Sequence, residues 1–164
     1  MIQVLFVRPY GERIQSEVQR VVISAGFDAE GIESIEAGTS DELALSRTLA
    51  VKPELMVIPF HVHRDAEGRE LNGLEFLRKL RELDESMCRV GVLMPVSDAS
   101  RATLRLRASV GDHAPLYQEM LDRQVMLIGT ADLEVDDLGT ELRRHVEQVR
   151  SGTAETSGIL AFDR

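Results

Sequence analysis

Residues 55–60 read Leu55-Met56-Val57-Ile58-Pro59-Phe60, and residues 72–81 read Asn72-Gly73-Leu74-Glu75-Phe76-Leu77-Arg78-Lys79-Leu80-Arg81. The first is short and continuously apolar, the pattern of a parallel strand covered on both faces. The second places Leu74, Phe76, Leu77 and Leu80, with Leu83 just beyond, on one helical face and sets the basic Arg78, Lys79 and Arg81 between them. A buried strand followed by an amphipathic helix is one βα unit.

The same pairing recurs five times along the chain. The apolar runs are residues 2–7, 31–36, 55–60, 90–96 and 125–128. Ile14, Val18, Val21, Val22 and Ala25 share a face of the first intervening helix, and Thr39 with Glu42 reads as a capping box ahead of residues 43–50. Ser97 or Asp98 caps a fourth helix over 99–109, and Val135, Leu138, Leu142, Val146 and Val149 stripe a fifth. The expected fold is therefore α/β: a three-layer α/β/α sandwich around a five-stranded parallel sheet, with right-handed crossovers. Two segments exceed that minimum. Residues 60–71 form a long charged connection, and residues 111–124 hold a short extra helix over 116–123. The chain divides into a domain over 1–150 and a Ser/Gly/Thr-rich tail over 151–164, whose Ile159, Leu160 and Phe162 are apolar.

Composition narrows the function. The chain has 164 residues, 43% hydrophobic and 29% charged, which fits one globular domain. Aromatics are 4%, so Val, Leu, Ile, Met and Ala must build the core. The net charge of −9 argues against nucleic acid and against an anionic membrane surface, both of which select for bases. The bases are 17 Arg against only Lys52 and Lys79, a skew that reads as a GC-rich bacterial genome. Cys88 is the single cysteine, which excludes an internal disulfide and a thiolate zinc cage and fits a reducing cytoplasm. No apolar run approaches the length of a membrane span, and Met1-Ile2-Gln3-Val4 lacks the basic start of a signal peptide.

Three passages resemble the receiver domain of two-component response regulators, a CheY-like family with a flavodoxin-like (βα)5 fold. Lys52-Pro53-Glu54-Leu55-Met56-Val57-Ile58 resembles the Lys-Pro-Asp-Leu run that opens the family's third strand. Asn72-Gly73-Leu74-Glu75-Phe76-Leu77-Arg78 resembles the Asp-Gly-Leu-Glu-Leu-Leu-Arg passage that opens its third helix. Val4-Leu5-Phe6-Val7, followed by a turn and a helix, is similar to its first strand. The likeness spans roughly residues 2–150. It implies a site at the C-terminal ends of the strands, where open parallel sheets bind ligands. The family places two acids there for Mg²⁺, an Asp that takes the phosphoryl group, a Thr or Ser, and a Lys.

None of those residue types is present at the matching positions. The acidic pair falls on Arg8 and Pro9, the phosphoacceptor on Pro59, the Thr/Ser on Pro95, and the Lys on Gly129 or Thr130. Proline is tolerated at a strand end but supplies no donor, acid or nucleophile. The resemblance thus implies a divergent pseudo-receiver without phosphotransfer, needing no cofactor. Arg8 is a candidate to hold an anion or to lock the loops through Glu12 or Asp65. His61 and His63, with Asp65, form the nearest approach to a metal cluster, lacking a further histidine close in sequence. No GxGxxG, Walker or nucleophile-elbow pattern occurs.

The leading functional expectation is a non-enzymatic, phosphorylation-independent protein–protein interaction module in bacterial signalling or regulation. Its candidate docking residues are Arg101, Arg105, Arg107, Leu138 and Leu142, from the two helices that form the family's usual contact face. The alternative is a small-molecule or anion sensor using the crevice around Arg8. An enzyme built on His61, His63 and Asp65 ranks third. A homodimer is a further expectation, through Ile159–Phe162 of the tail on a sheet edge.

Overall fold

The computed structural model describes residues 1–8, 10–61, 63–64, 67–134 and 137–152. In chain order the elements are β1 (Val4–Phe6), α1 (Glu12–Ser24), β2 (Ile32–Ser34), α2 (Asp41–Val51), β3 (Leu55–Val57), β4 (His63–Arg64), β5 (Glu70–Leu71), α3 (Gly73–Leu83), β6 (Gly91–Val96), α4 (Asp98–Ser109), α5 (Ala114–Arg123), β7 (Val125–Gly129) and α6 (Leu138–Ser151). Short 3-10 turns at Ala29–Gly31, Glu85–Arg89 and Thr130–Asp132 lie between them.

Five strands form one parallel sheet in the order β2-β1-β3-β6-β7. Counted within the sheet this is 2-1-3-4-5, the doubly wound flavodoxin-like order. Side chains alternate faces along a strand, so each central strand feeds two cores. Leu5, Met56, Ile58, Val92, Met94 and Leu127 point to the side covered by α2, α3, α4 and α5. Val4, Phe6, Leu55, Val57, Leu93, Met126 and Ile128 point to the side covered by α1 and α6. This double burial is the reason the runs read as continuously apolar. No helix among the described residues is long and apolar enough to cross a membrane.

Helix ends follow local chemistry. The Ser97 and Asn72 side chains cap α4 and α3, accepting from the amides of Ser100 at 3.3 Å and Glu75 at 3.0 Å. At α2 the expected Thr39–Glu42 box does not form. Ser40 is the cap, accepting from the Leu43 amide at 3.2 Å, while the Thr39 amide that a box would use donates to the Glu36 carbonyl at 3.2 Å. Pro53 disfavours continued helix in the residue before it, and α2 ends on Lys52 in the left-handed region at φ 47°.

Four expectations need correction. Leu83 is 63% exposed, since it falls on the last turn of α3, beyond the strands that cover Leu74, Leu77 and Leu80. Residues 60–71 are not simply a loop: β4 and β5 pair antiparallel as a small hairpin. α6 begins at Leu138 rather than at Val135, which lies outside the described residues. The fourth correction concerns the β6–β7 crossover. Both ends of α4 stay at the C-terminal edge of the sheet, since Ser97 follows β6 while Arg107 and Val110 share a groove with Asn72 and Glu75 at the start of α3. α5 makes the return. Tyr117 bonds Glu75 in the first turn of α3, Glu119 pairs with Arg81 in its last turn, and Gln124 leads into β7. The supposed extra helix is thus the crossover helix, and α4 is the addition. The tail beyond residue 152, with Ile159, Leu160 and Phe162, lies outside the described residues.

Gln124 joins the opposite edge. Its buried amide donates to the carbonyls of Met87 at 2.8 Å and Val90 at 2.9 Å, and accepts from Arg81 at 3.3 Å. The Gln124 carbonyl accepts from His145 Nε2 at 2.8 Å. Burial disfavours the imidazolium and holds His145 below its ordinary value of 6.5, although the Gln124 bond opposes the shift. On acidification the unfolded chain therefore binds that proton first. Stability contributed here is complete above about pH 6.5 and is lost as pH falls toward the depressed folded value. Denaturant midpoints followed between about pH 7 and pH 5 should fall in the native chain, and fall less in His145→Gln.

Candidate functional site

The C-terminal edge of the sheet is where a doubly wound fold offers a ligand crevice. Arg8 leaves that edge just after β1, beyond the rung in which the Val7 amide donates to Val57 at 3.0 Å. Its guanidinium turns to the start of α2, donating to the Thr39 carbonyl and forming an ion pair with Asp41. Both side chains are more than four-fifths buried. Desolvation lowers the Arg8 pKa from its ordinary value, and a carboxylate at the helix N-terminus completes the pair. The loop-locking expectation for Arg8 thus finds a different partner from Glu12. Asp65, its other expected partner, lies outside the described residues.

Tyr10 closes the other side. Its ring packs against the core under α1 and α6, and its hydroxyl donates to the Pro95 carbonyl at 3.2 Å. Burial pushes the phenol well above its ordinary value, so the hydroxyl keeps its proton and remains a donor. Its backbone amide donates to Gln15 Oε1 at 3.1 Å, fixing the loop to α1. The link spans from the β1–α1 loop to β6, above the end of β3.

The prolines occupy this edge in two ways. Pro59 follows β3, and its carbonyl meets the first residue of α3: a Cβ on Gly73 would sit 2.4 Å from the Pro59 oxygen. Pro95 lies within β6, one residue before its end, and pairs with Ile128. Its missing N–H does no harm there. The Leu93 carbonyl faces β3 and accepts from Ile58, and position 95 faces the same way beyond the last rung of β3. Pro9 lies outside the described residues. Thr130 opens the 3-10 turn after β7. Beside it, Arg101 and Asp132 both approach Gly129, where a Cβ would lie 3.3 Å from Arg101 Nη2 and 2.9 Å from Asp132 Oδ2.

The resulting crevice is lined by Val7, Arg8, Asp41, Ile58, Pro59 and His61, with Asn72, Gly73 and Phe76 on its α3 side. The free space is about 10 Å³. That is on the order of a single water site.

A second polar cluster begins at α3. Glu75 accepts from the Tyr117 hydroxyl at 2.8 Å and pairs with Arg78, which also reaches Glu82 at 2.8 Å. Burial alone would raise the Glu75 carboxyl, but bonds from Arg78 and Tyr117 outweigh it and bring it below its ordinary value. The Tyr117 phenol is pushed up to about 12, first by burial and then by the bond to Glu75.

Of the docking candidates, Leu138 and Leu142 are buried in the core under α6 and present no surface, because the inward stripe of an amphipathic helix faces the sheet. Arg101 pairs with Asp98 at 3.4 Å, Arg105 is exposed, and Arg107 lines the α3–α4–α5 groove. His61 is exposed at the crevice mouth. His63 is in β4, and its side chain, like Asp65, lies outside the description. Among the described residues no three His, Cys, Asp or Glu gather as a metal site. Sequence reasoning passed over Tyr10, Asp41 and Tyr117. One signal was available: the chain has only two tyrosines, and both bond at this edge.

Two experiments test this arrangement. Gly73→Ala forces a methyl onto a backbone carbonyl and should destabilise by about 2 kcal/mol in chemical denaturation, despite its gain in helix propensity. In a double-mutant cycle Arg8→Ala and Asp41→Ala should show a coupling of about 1–3 kcal/mol, because either single change strands a largely buried charge. Additive effects would mean the pair does not hold the loops.

Comparison with known proteins finds no match to this chain among family models, curated proteins or solved structures.

Proposed function

We propose that this chain is a non-catalytic, receiver-like module, a pseudo-receiver that works by phosphorylation-independent contacts with protein partners in bacterial signalling or regulation. One observation carries the reading: the strand-end crevice is filled by its own side chains. An aspartyl phosphate needs a carboxylate nucleophile, and Mg²⁺ needs oxygen ligands with room for water. Pro59 and Pro95 offer neither, Arg8 is engaged by Asp41, and Tyr10 bridges to Pro95. The 2-1-3-4-5 strand order supports the likeness to receivers, and a fold without its pocket still presents surfaces.

The sensor alternative would use the same crevice with Arg8 as anchor. It draws less support, because Asp41 already supplies the anion and the free space is about 10 Å³. A cytoplasmic location and a homodimer belong to this proposal and rest on the sequence alone.

The test is direct. The full chain is incubated with acetyl phosphate and Mg²⁺, and separately with beryllofluoride and Mg²⁺. Intact mass should stay unchanged, and amide NMR signals of residues at the strand ends should not move. A mass gain of one phosphoryl group, or saturable shifts around Arg8 and Pro59, would refute the reading.

A further inference from the structure

We draw no further inference here: the strongest candidate, the cavity of about 400 Å³ between α1 and the start of α6 lined by Val21, Ser24, Leu133, Leu138 and Gly139, rests on the N-terminus of α6, with Arg20 at its mouth already paired to Glu134 at 4.0 Å and nothing among the described residues that points to a ligand.

Discussion

The contact between Gly73 and the Pro59 carbonyl sets the geometry of the working edge. The chain leaves β3, runs through the β4–β5 hairpin and must return so that α3 starts directly over the strand it left. Only a residue without a Cβ can lie that close to a backbone oxygen. With α3 drawn in, the Asn72 cap faces the crevice and Phe76 fills it from the side. Glu75 in the first turn then meets Tyr117, which fixes where α5 crosses the sheet. Because α5 occupies the crossover position, α4 is left to lie along the strand ends.

What fills the crevice is chemically different from what a reactive pocket requires. A receiver-type site keeps several carboxylates close together at the cost of mutual repulsion, which a divalent cation relieves. Here the one charge that enters from β1 is a cation, and it is neutralised inside the protein by Asp41. The hydroxyl of Tyr10 is spent on a carbonyl that, in β6, has no strand partner on that side. The Arg8 guanidinium and the Tyr10 hydroxyl are thus each matched to another protein group at this edge.

Strands and helices were legible because burial on both faces leaves a plain mark, as in Leu55-Met56-Val57, and because α3 and α6 keep strict three-four spacing. The roles of α4 and α5 were not legible. Periodicity reports that a helix has an inner face, not which layer that face meets, so Leu116–Arg123 read as an addition when it is the crossover. The β4–β5 pair has two residues per strand, too few for any alternation to register. Within the site, the replaced positions at Arg8, Pro59 and Pro95 could be read from order alone. The partner of Arg8 could not, since Asp41 is 33 residues away and competes with nearer acids such as Glu12. The same limit hid Tyr10, whose target Pro95 is 85 residues on.

The acidic surplus takes its meaning from where the few bases are committed. Arg47, Arg144 and Arg150 each reach a carboxylate in pairs that are largely open to solvent and therefore contribute little to stability. Their effect is to leave the bulk of the surface with excess negative charge, which keeps copies apart and slows non-specific association with other acidic proteins.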